Sequence, residues 1–382
     1  MIVQRFLTWV EDAPADMRVE GARVLCRALL YSPLTSADRR AAEAAITLLV
    51  EDTHTPVRVA MAQILAEHPR SPRHVVMALA RDAEEVATPV LLMSPILGER
   101  ELVDLALLRQ DRGQAAIAAR NSLTAGVTAA LVEIGTADTC TVLARNPKAL
   151  FTSASFTRLA ERFGDDADVR AALLDRDGVP LAIRHQLLVK LSAALGGMAS
   201  RRFSLSEVRA ESLSSEGGER ATLALVADEE VDLAGLVLHL RSSGQLNAAL
   251  LLRAMMCGQV AFFEEAVAEL AEIDVERVRP LLGDRDGMGF TALYRRSGLP
   301  VSAMPAFRTA LAGWEEWGAP PRSSAIKPDK GMVQRALARQ EANAGPLDAT
   351  VALLRQMEAE ASRDEAFGAL DAVRMPPRLV AA

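Results

Sequence analysis

Apolar and polar positions near the start of the chain recur with a fixed period. The passage from Val10 to Leu25 reappears forty residues further on, from Val50 to Leu65, and each copy begins with Val-Glu-Asp. After this turn, apolar residues are spaced three and four apart, which is the spacing of one helix face. A period of this length is typical of stacked helix pairs, because one pair cannot bury its apolar face alone. The pattern predicts an all-α, helical-repeat fold.

A polar turn built on Asp or Asn separates the predicted helices. Asp82 and Asn146 each follow an apolar helix end, where the side chain can cap free N–H groups or close an Asx turn. Arg18, Arg58 and Arg184 lie early in second helices and are placed to form ion pairs between neighbouring repeats. The motif Asp-x-x-x-x-Val-Arg resembles that of the HEAT and armadillo class, and this resemblance implies an α-solenoid.

Several longer runs carry a closer resemblance to a known family. They are RDAEEVATPVLLMSPIL at 81–97, QAAIAAR at 114–120, the stretch 127–135, NPKA at 146–149, GQVAFFE at 258–264 and SGLP at 297–300. Together they resemble DUF2336, a family of uncharacterised proteins typical of alphaproteobacteria, over most of residues 40–315. The resemblance implies a helical fold and brings no assigned activity.

Changes in composition divide the chain into four parts. Residues 1–195 are predicted to form N-terminal HEAT-like helical repeats, and 221–318 a second, less regular helical-repeat half. The segment 196–220 between them is rich in Gly and Ser and is expected to be a hinge or an irregular connection, since such residues break helices and expose backbone to water. Paired prolines at 320 and 321 predict that 319–382 is a linker followed by C-terminal helices.

The overall composition agrees with a helical protein and argues against nucleic acid and anionic lipid as partners. Hydrophobic residues make up 50% of the chain and aromatic ones only 4%, so the core must be built from Ala, Leu and Val. The net charge of -7 disfavours broad attraction to nucleic acid or anionic lipid. The N-terminus shows no signal-peptide core, and no apolar run is long enough to span a bilayer. We therefore expect a cytoplasmic protein with no membrane partner.

The residues that usually carry chemistry do not form a recognisable site in the sequence. The three cysteines are far apart and lie in apolar helical stretches, and none of the five histidines is followed by Glu, as the metal sites of HEAT-type hydroxylases require. Asp-Arg-Asp-Gly at 175 and at 284 lacks the Glu that would close a calcium loop. The sequence predicts no cofactor, no bound metal and no enzymatic activity.

Six residues are candidates for a binding surface. Trp314 and Trp317 are three residues apart and share one helix face, and Trp is enriched in interface hot spots; the pair could equally tuck the C-terminal helices onto the array. The other four are paired arginines, Arg201-Arg202 and Arg295-Arg296.

The resulting expectation is a scaffold or adaptor that binds another protein, sought first among regulatory or signalling proteins. A helical-repeat array offers an extended surface for a helix or a peptide, and such binding needs no catalytic residues. The alternative is a nucleic-acid-binding solenoid that uses the two arginine pairs as a local basic stripe, and its affinity would then fall steeply with salt.

Overall fold

The computed structural model describes residues 9, 13–204, 206–228, 231–284, 287–321, 326–343 and 348–374, with side chains as far as 367. Within these ranges the regular elements are helices, which confirms the predicted all-α fold. The extended pairing found there is a single parallel bridge between Leu123 and Ala149. The chain forms two compact units, residues 1–187 and 188–382.

The N-terminal unit is a two-row stack of short helices. The rows alternate along the chain: α1, α3, α5, α7, α9 and α11 pack in that order, and α6, α8 and α10 pack beside one another in the second row. The bounds are α1 Ala15–Tyr31, α2 Ser36–Leu49, α3 Thr55–Leu65, α4 Arg73–Arg81, α5 Glu84–Met93, α6 Glu99–Leu108, α7 Asp111–Ala118, α8 Ala125–Ile134, α9 Ala137–Arg145, α10 Ser153–Phe163 and α11 Ala167–Leu174.

One continuous apolar core runs through this stack. Buried residues from Ala22 to Leu187 form a single cluster, built mainly from Ala, Leu, Val and Ile, with Phe156 as its buried aromatic member. Small and branched side chains allow neighbouring helices to pack closely. The prediction of a core that is poor in aromatic residues is confirmed for this unit.

Ion pairs join successive repeats at the predicted positions. The Nε atom of Arg18 lies 2.8 Å from a carboxylate oxygen of Asp52, and that of Arg58 lies 2.6 Å from a carboxylate oxygen of Asp82. These two ion pairs are confirmed. Arg184 was expected to do the same, but its Nη2 donates to the backbone carbonyl of Arg176 at 3.3 Å, because the end of α11 and the turn after it present free carbonyl groups there.

The turn residues accept the local hydrogen bonds that the sequence predicted. A carboxylate oxygen of Asp52 accepts from the backbone N–H of His54, and one of Asp82 accepts from that of Ala83. Burial alone would raise the pKa of Asp82, but the hydrogen bonds from Arg58 and Ala83 outweigh it, so this pKa lies below its ordinary value.

A second set of contacts links each repeat to the helix ends of an earlier one. Arg120, which is buried, donates to the carbonyls of Leu91 and Ser94 at 2.6 Å each. The amide of Asn146 donates to the carbonyls of Ala118 and Arg120 at 2.7 and 2.8 Å. In the same way, Arg109 donates to backbone carbonyls at the end of α4, and Arg176 donates to backbone carbonyls at the end of α9 and in the turn that follows it. The last carbonyls of a helix have no partner within that helix and carry partial negative charge, so these donors cap the neighbouring repeat.

The C-terminal unit is less regular. In it, α16 packs against α14, α15, α17 and α18, while α15 packs against α13, α19 and α21, and α20 lies between α19 and α21. The bounds are α12 Leu181–Phe203, which contains the boundary between the units, α13 Glu207–Val226, α14 Leu233–Ser242, α15 Ala248–Met256, α16 Val260–Ala271, α17 Val275–Leu282, α18 Met288–Arg296, α19 Met304–Trp317, α20 Lys330–Asn343 and α21 Ala349–Arg374.

The Gly/Ser-rich segment 196–220, expected to be irregular, is helical. It lies in α12 and α13, which are separated by a short break at Ser204, where φ is +51°. The small residues serve close packing: a Cβ on Gly217 would lie 3.2 Å from Cβ of Ser192, and one on Gly196 would overlap the hydroxyl of Ser214. The prediction of an irregular connection was wrong, because glycine here lets two helices approach, a role that depends on the partner helix.

A buried ion network ties three helices of this unit together. Arg253 of α15 has 1% of its side chain exposed, and its Nε and Nη1 lie 2.8 Å from carboxylate oxygens of Glu219 in α13 and Glu360 in α21. Glu360 also pairs with Arg220 at 2.6 Å. Burial alone would raise the pKa of Glu360, but the two arginines outweigh this effect and hold the pKa below its ordinary value.

Replacing Arg58 by Met should weaken the N-terminal stack. The change leaves Asp82 without its guanidinium and removes the hydrogen bond to the carbonyl of Asp52, so we expect the free energy of unfolding to fall by about 1–3 kcal/mol. Urea denaturation at neutral pH measures the change. Arg40→Met, at an exposed site on α2, is the matched control. Equal losses in the two variants would contradict the inter-repeat role.

The difference between wild type and Arg58→Met should shrink in acid. The folded pKa of Asp82 lies below its ordinary value of 3.8, so its contribution to stability is full above that value and is lost as the pH falls through the folded pKa. Denaturation curves from pH 6 down to about pH 2.5 check this. A difference that stays constant over that range would show that Asp82 is not the group that Arg58 stabilises.

Glu360→Gln should loosen the C-terminal helix. It leaves the buried charge of Arg253 with one carboxylate fewer, and breaking a buried pair typically costs about 3–5 kcal/mol. Hydrogen exchange should rise in α21 before it rises in α16. Glu365→Gln, which removes an exposed ion pair with Lys330, is the control and should cost little. Similar exchange in the two variants would show that the buried network does not hold α21.

Candidate protein-binding groove in the C-terminal unit

The two tryptophans of α19 have different environments. Trp314 has 9% of its surface exposed, and its indole N–H donates to the carbonyl of Met255 at 2.7 Å. Trp317 is 40% exposed, and its ring stands edge-on to that of Trp314 with 6.4 Å between the centroids. Trp314 therefore belongs to the core of the unit, and Trp317 is the member of the pair that presents its ring at the surface.

Trp317 is covered on one face by an arginine from the next helix. The guanidinium carbon of Arg335 lies 3.7 Å from the centroid of the Trp317 ring. This is a cation–π contact, which holds the guanidinium group close to the ring face. The contact also joins α20 to the C-terminal end of α19.

Beside this contact lies an open groove of about 520 Å³ between α19 and α20. The helices come close at its floor, because Gly313 has no side chain: a Cβ there would lie 2.5 Å from the terminal methyl carbon of Met332. The lining residues are Met304, Pro305, Arg308, Thr309, Ala312, Gly313, Glu316, Arg335, Arg339 and Asn343. We call this feature the α19–α20 groove.

The α19–α20 groove carries net positive charge. Its lining contains three arginines, Arg308, Arg335 and Arg339, against the one carboxylate of Glu316. All three arginines are exposed, and among the described residues none of them has a carboxylate within ion-pair distance. Arg335 and Arg339 are four residues apart, so both lie on the same face of α20. The groove therefore offers guanidinium groups that are still available to a ligand.

The predicted arginine pairs lie elsewhere. Arg201 and Arg202 are exposed in the last turn of α12, and Arg295 and Arg296 are exposed in the last turn of α18. The Nε of Arg296 donates to the carbonyl of Ala271 at 2.7 Å, so this arginine caps the end of α16. Neither pair belongs to the lining of the α19–α20 groove.

A second groove of about 640 Å³, between α14, α16 and α17, has the opposite charge. Its lining includes four carboxylates, those of Glu265, Glu269, Glu272 and Asp274. Three of them are already paired, since Arg241 lies 2.7 Å from Glu269 and 3.2 Å from Glu272, and Arg277 lies 4.0 Å from Asp274. The groove is partly neutralised by the protein's own arginines, since Arg277 and the predicted site residue Arg296 also line it, which makes it the weaker candidate for a charged partner.

The thiols sit in environments that suppress their reactivity. Burial raises the pKa of Cys26 to about 12, that of Cys140 to about 11 and that of Cys257 to about 12. A nucleophilic cysteine needs a lowered pKa, so none of these positions suits covalent catalysis. Across the described ranges, no three His, Cys, Asp or Glu side chains converge as metal ligands. No helix of the described chain is long and apolar enough to cross a bilayer.

Fold and groove together define an all-α helical-repeat protein with a basic surface groove. A family model described as an uncharacterised protein conserved in bacteria, DUF2336, matches residues 86–345, about two thirds of the chain, and the protein belongs to this family. The match confirms the resemblance and extends to residue 345, so it includes the whole α19–α20 groove. No curated protein and no solved structure matches the chain.

Sequence reasoning found Trp317 but missed the arginines around it. Arg335 and Arg339 carry a usable signal, because their spacing of four residues places two cations on one helix face. Arg308 carries no such signal, since the packing of α19 on α20 alone brings it to the same groove.

Trp314→Phe should destabilise the protein, while Trp317→Phe should not. The first change removes the buried hydrogen bond from the indole to the carbonyl of Met255, which keeps only the backbone N–H of Gly258 as a donor, and it shortens a core side chain, so it should cost about 1–3 kcal/mol of unfolding free energy. The second alters a surface ring and should change stability by less than about 0.5 kcal/mol. Chemical denaturation of both variants measures this difference. A larger loss for Trp317→Phe would contradict the separation into a core and a surface tryptophan.

Proposed function

We propose that this protein is a non-enzymatic scaffold or adaptor, which binds a partner protein at the α19–α20 groove. The observation that carries the proposal is the exposed ring of Trp317, stacked by Arg335 at the edge of an open groove. Trp and Arg are the residue types most enriched in binding hot spots, and hot spots favour pockets over flat surface. We infer that Trp317 is the anchor of the interface.

The architecture supports this role. The N-terminal unit, which we infer to be a HEAT-like array, is a stack of short helices that is cross-linked by ion pairs and helix caps. Repeat stacks of this kind commonly serve as rigid binding platforms. The C-terminal unit presents a groove of known charge on two packed helices, so little conformational entropy is lost when a partner docks there.

The environment of the three thiols supports a role without catalysis. All three are buried and have raised pKa values, so they behave as small core residues. The histidine at 185 is buried in the same way. We therefore propose binding, and no reaction, as the role of this protein.

Nucleic acid is the second candidate, and the three groove arginines favour testing it. Tight binding to nucleic acid normally neutralises many phosphates, while the groove offers three guanidinium groups and the chain has a net charge of -7. The predicted pairs at 201–202 and 295–296 lie on other helix ends. A protein partner needs only a few anchored contacts, so we favour it.

The test is recovery of the tagged protein from its native cells at physiological salt, after nuclease treatment. We expect a partner protein to co-purify in stoichiometric amount with wild type and to fall at least about tenfold with Trp317→Ala, because removal of a hot-spot residue costs more than 1.4 kcal/mol.

Phe203→Ala is the matched control, because Phe203 is an exposed aromatic residue outside the groove. It should leave recovery unchanged. The proposal fails if the attached material disappears with nuclease, or if a protein remains attached equally to wild type and Trp317→Ala.

A further inference from the structure

We propose that the α19–α20 groove takes an acidic segment of the partner protein, whose side-chain carboxylates pair with Arg308, Arg335 and Arg339. This inference rests on the proposed function and adds the chemistry of the ligand to it.

The first step concerns charge that is not compensated within the groove. Many arginines of this chain are occupied: Arg58 pairs with Asp82, Arg253 with Glu219 and Glu360, and Arg355 with Glu341. The three groove arginines have no such carboxylate in the described part of the chain, and Glu316 can balance only one of them. A carboxylate from outside would meet donors that the fold leaves available.

The second step concerns how Arg335 is held. Its guanidinium lies over the ring of Trp317, so the face of the group is used by the aromatic contact. The N–H groups point outward in the guanidinium plane and remain free to donate to a carboxylate in a two-bond arrangement. Stacking thus restricts the orientation of the arginine before a ligand arrives, which lowers the entropy lost on binding.

The third step concerns the length of the groove. Its α19 wall extends from Met304 to Glu316, which at a rise of 1.5 Å per residue is about 18 Å. On the α20 wall, Arg335 and Arg339 are separated by one turn, about 6 Å. A single phosphate or a free carboxylate would cover only part of a wall of this length. Two carboxylates one helical turn apart, or two residues apart on an extended chain, match the separation.

The fourth step concerns the rest of the lining. Met304, Pro305 and Ala312 supply apolar surface between the charges, which a peptide side chain can cover. Glu316 is the one group that opposes an acidic ligand. Its removal should therefore strengthen binding, and this gain cannot be produced by a variant that merely fails to fold.

The experiment uses the purified full-length protein and three labelled probes. The first probe is a 15-residue Ala-based peptide with two pairs of Glu at i and i+4, and the second is the same peptide with Gln at those positions. The third is a 15-nucleotide single-stranded DNA. Fluorescence anisotropy at low and at moderate NaCl gives the affinities.

We expect the Glu peptide to bind at least about tenfold more tightly than the Gln peptide, and the preference to shrink with added salt. Arg335→Gln and Arg339→Gln should each weaken its binding by about fivefold or more, and Glu316→Gln should strengthen it by about twofold or more. Arg295→Gln, which removes an exposed cation from α18, is the matched control and should change the affinity by less than the groove variants do.

Equal binding of the Glu and Gln peptides would overturn the inference, as would an effect of Arg295→Gln as large as that of Arg339→Gln. Tighter binding of the DNA, with the same dependence on Arg335 and Arg339, would assign the groove to nucleic acid instead. If the Glu peptide fails while the captured partner still depends on Trp317, the acidic ligand is wrong and the proposed function stands. If neither binds through the groove, both fail.

Discussion

The stack in the N-terminal unit depends on side chains that reach from one repeat to the helix end of another. Its helices α3 to α11 have only 8 to 11 residues, a length at which an isolated helix is marginal in water. Each short helix also exposes four carbonyls at its C-terminal end, so a stack of many helices has many free acceptors. Arg120 and Asn146 donate to such carbonyls, and Arg58 forms an ion pair with the carboxylate of Asp82 in the turn of the next repeat. The same contact therefore satisfies the backbone and sets the spacing of the repeats.

Arginine occupies three physically different settings in this chain, and the differences separate structure from binding. Arg120 is buried against carbonyls, where burial lowers the pKa but the backbone dipoles provide partners. Arg253 is buried between two carboxylates, which repay part of the cost of desolvating its charge. Arg335 and Arg339 are exposed at a groove, where neither has a carboxylate partner among the described residues. An argument about function can therefore start from the arginines that the fold does not use.

The inter-repeat ion pairs could be predicted, because they depend on spacing alone. Arg18 and Arg58 occupy equivalent places in two copies of one motif, and the stacking of copies brings each next to the following turn. The helical structure of segment 196–220 could not be predicted, because glycine suits both a flexible link and the close approach of two helices. Only the packing of Ser214 and Ser192 against these glycines shows that the close approach applies here. The groove could not be predicted for a related reason, since only tertiary packing places Arg308 and Arg335 in the lining of the same groove.

The groove is also connected to the buried network of the same unit. Its α20 wall packs on α19 on one side and on α21 on the other, and α21 carries Glu360, the carboxylate that Arg253 holds. A buried ion pair contributes little net stability compared with an apolar substitute, but it tolerates few alternative positions, because a displaced charge would lose its partner. The network thus fixes where α21 lies, α21 supports α20, and Met332 of α20 meets Gly313 at the groove floor. The position of Arg335 and Arg339 on α20 is thus linked, through α21, to a buried charge network outside the groove.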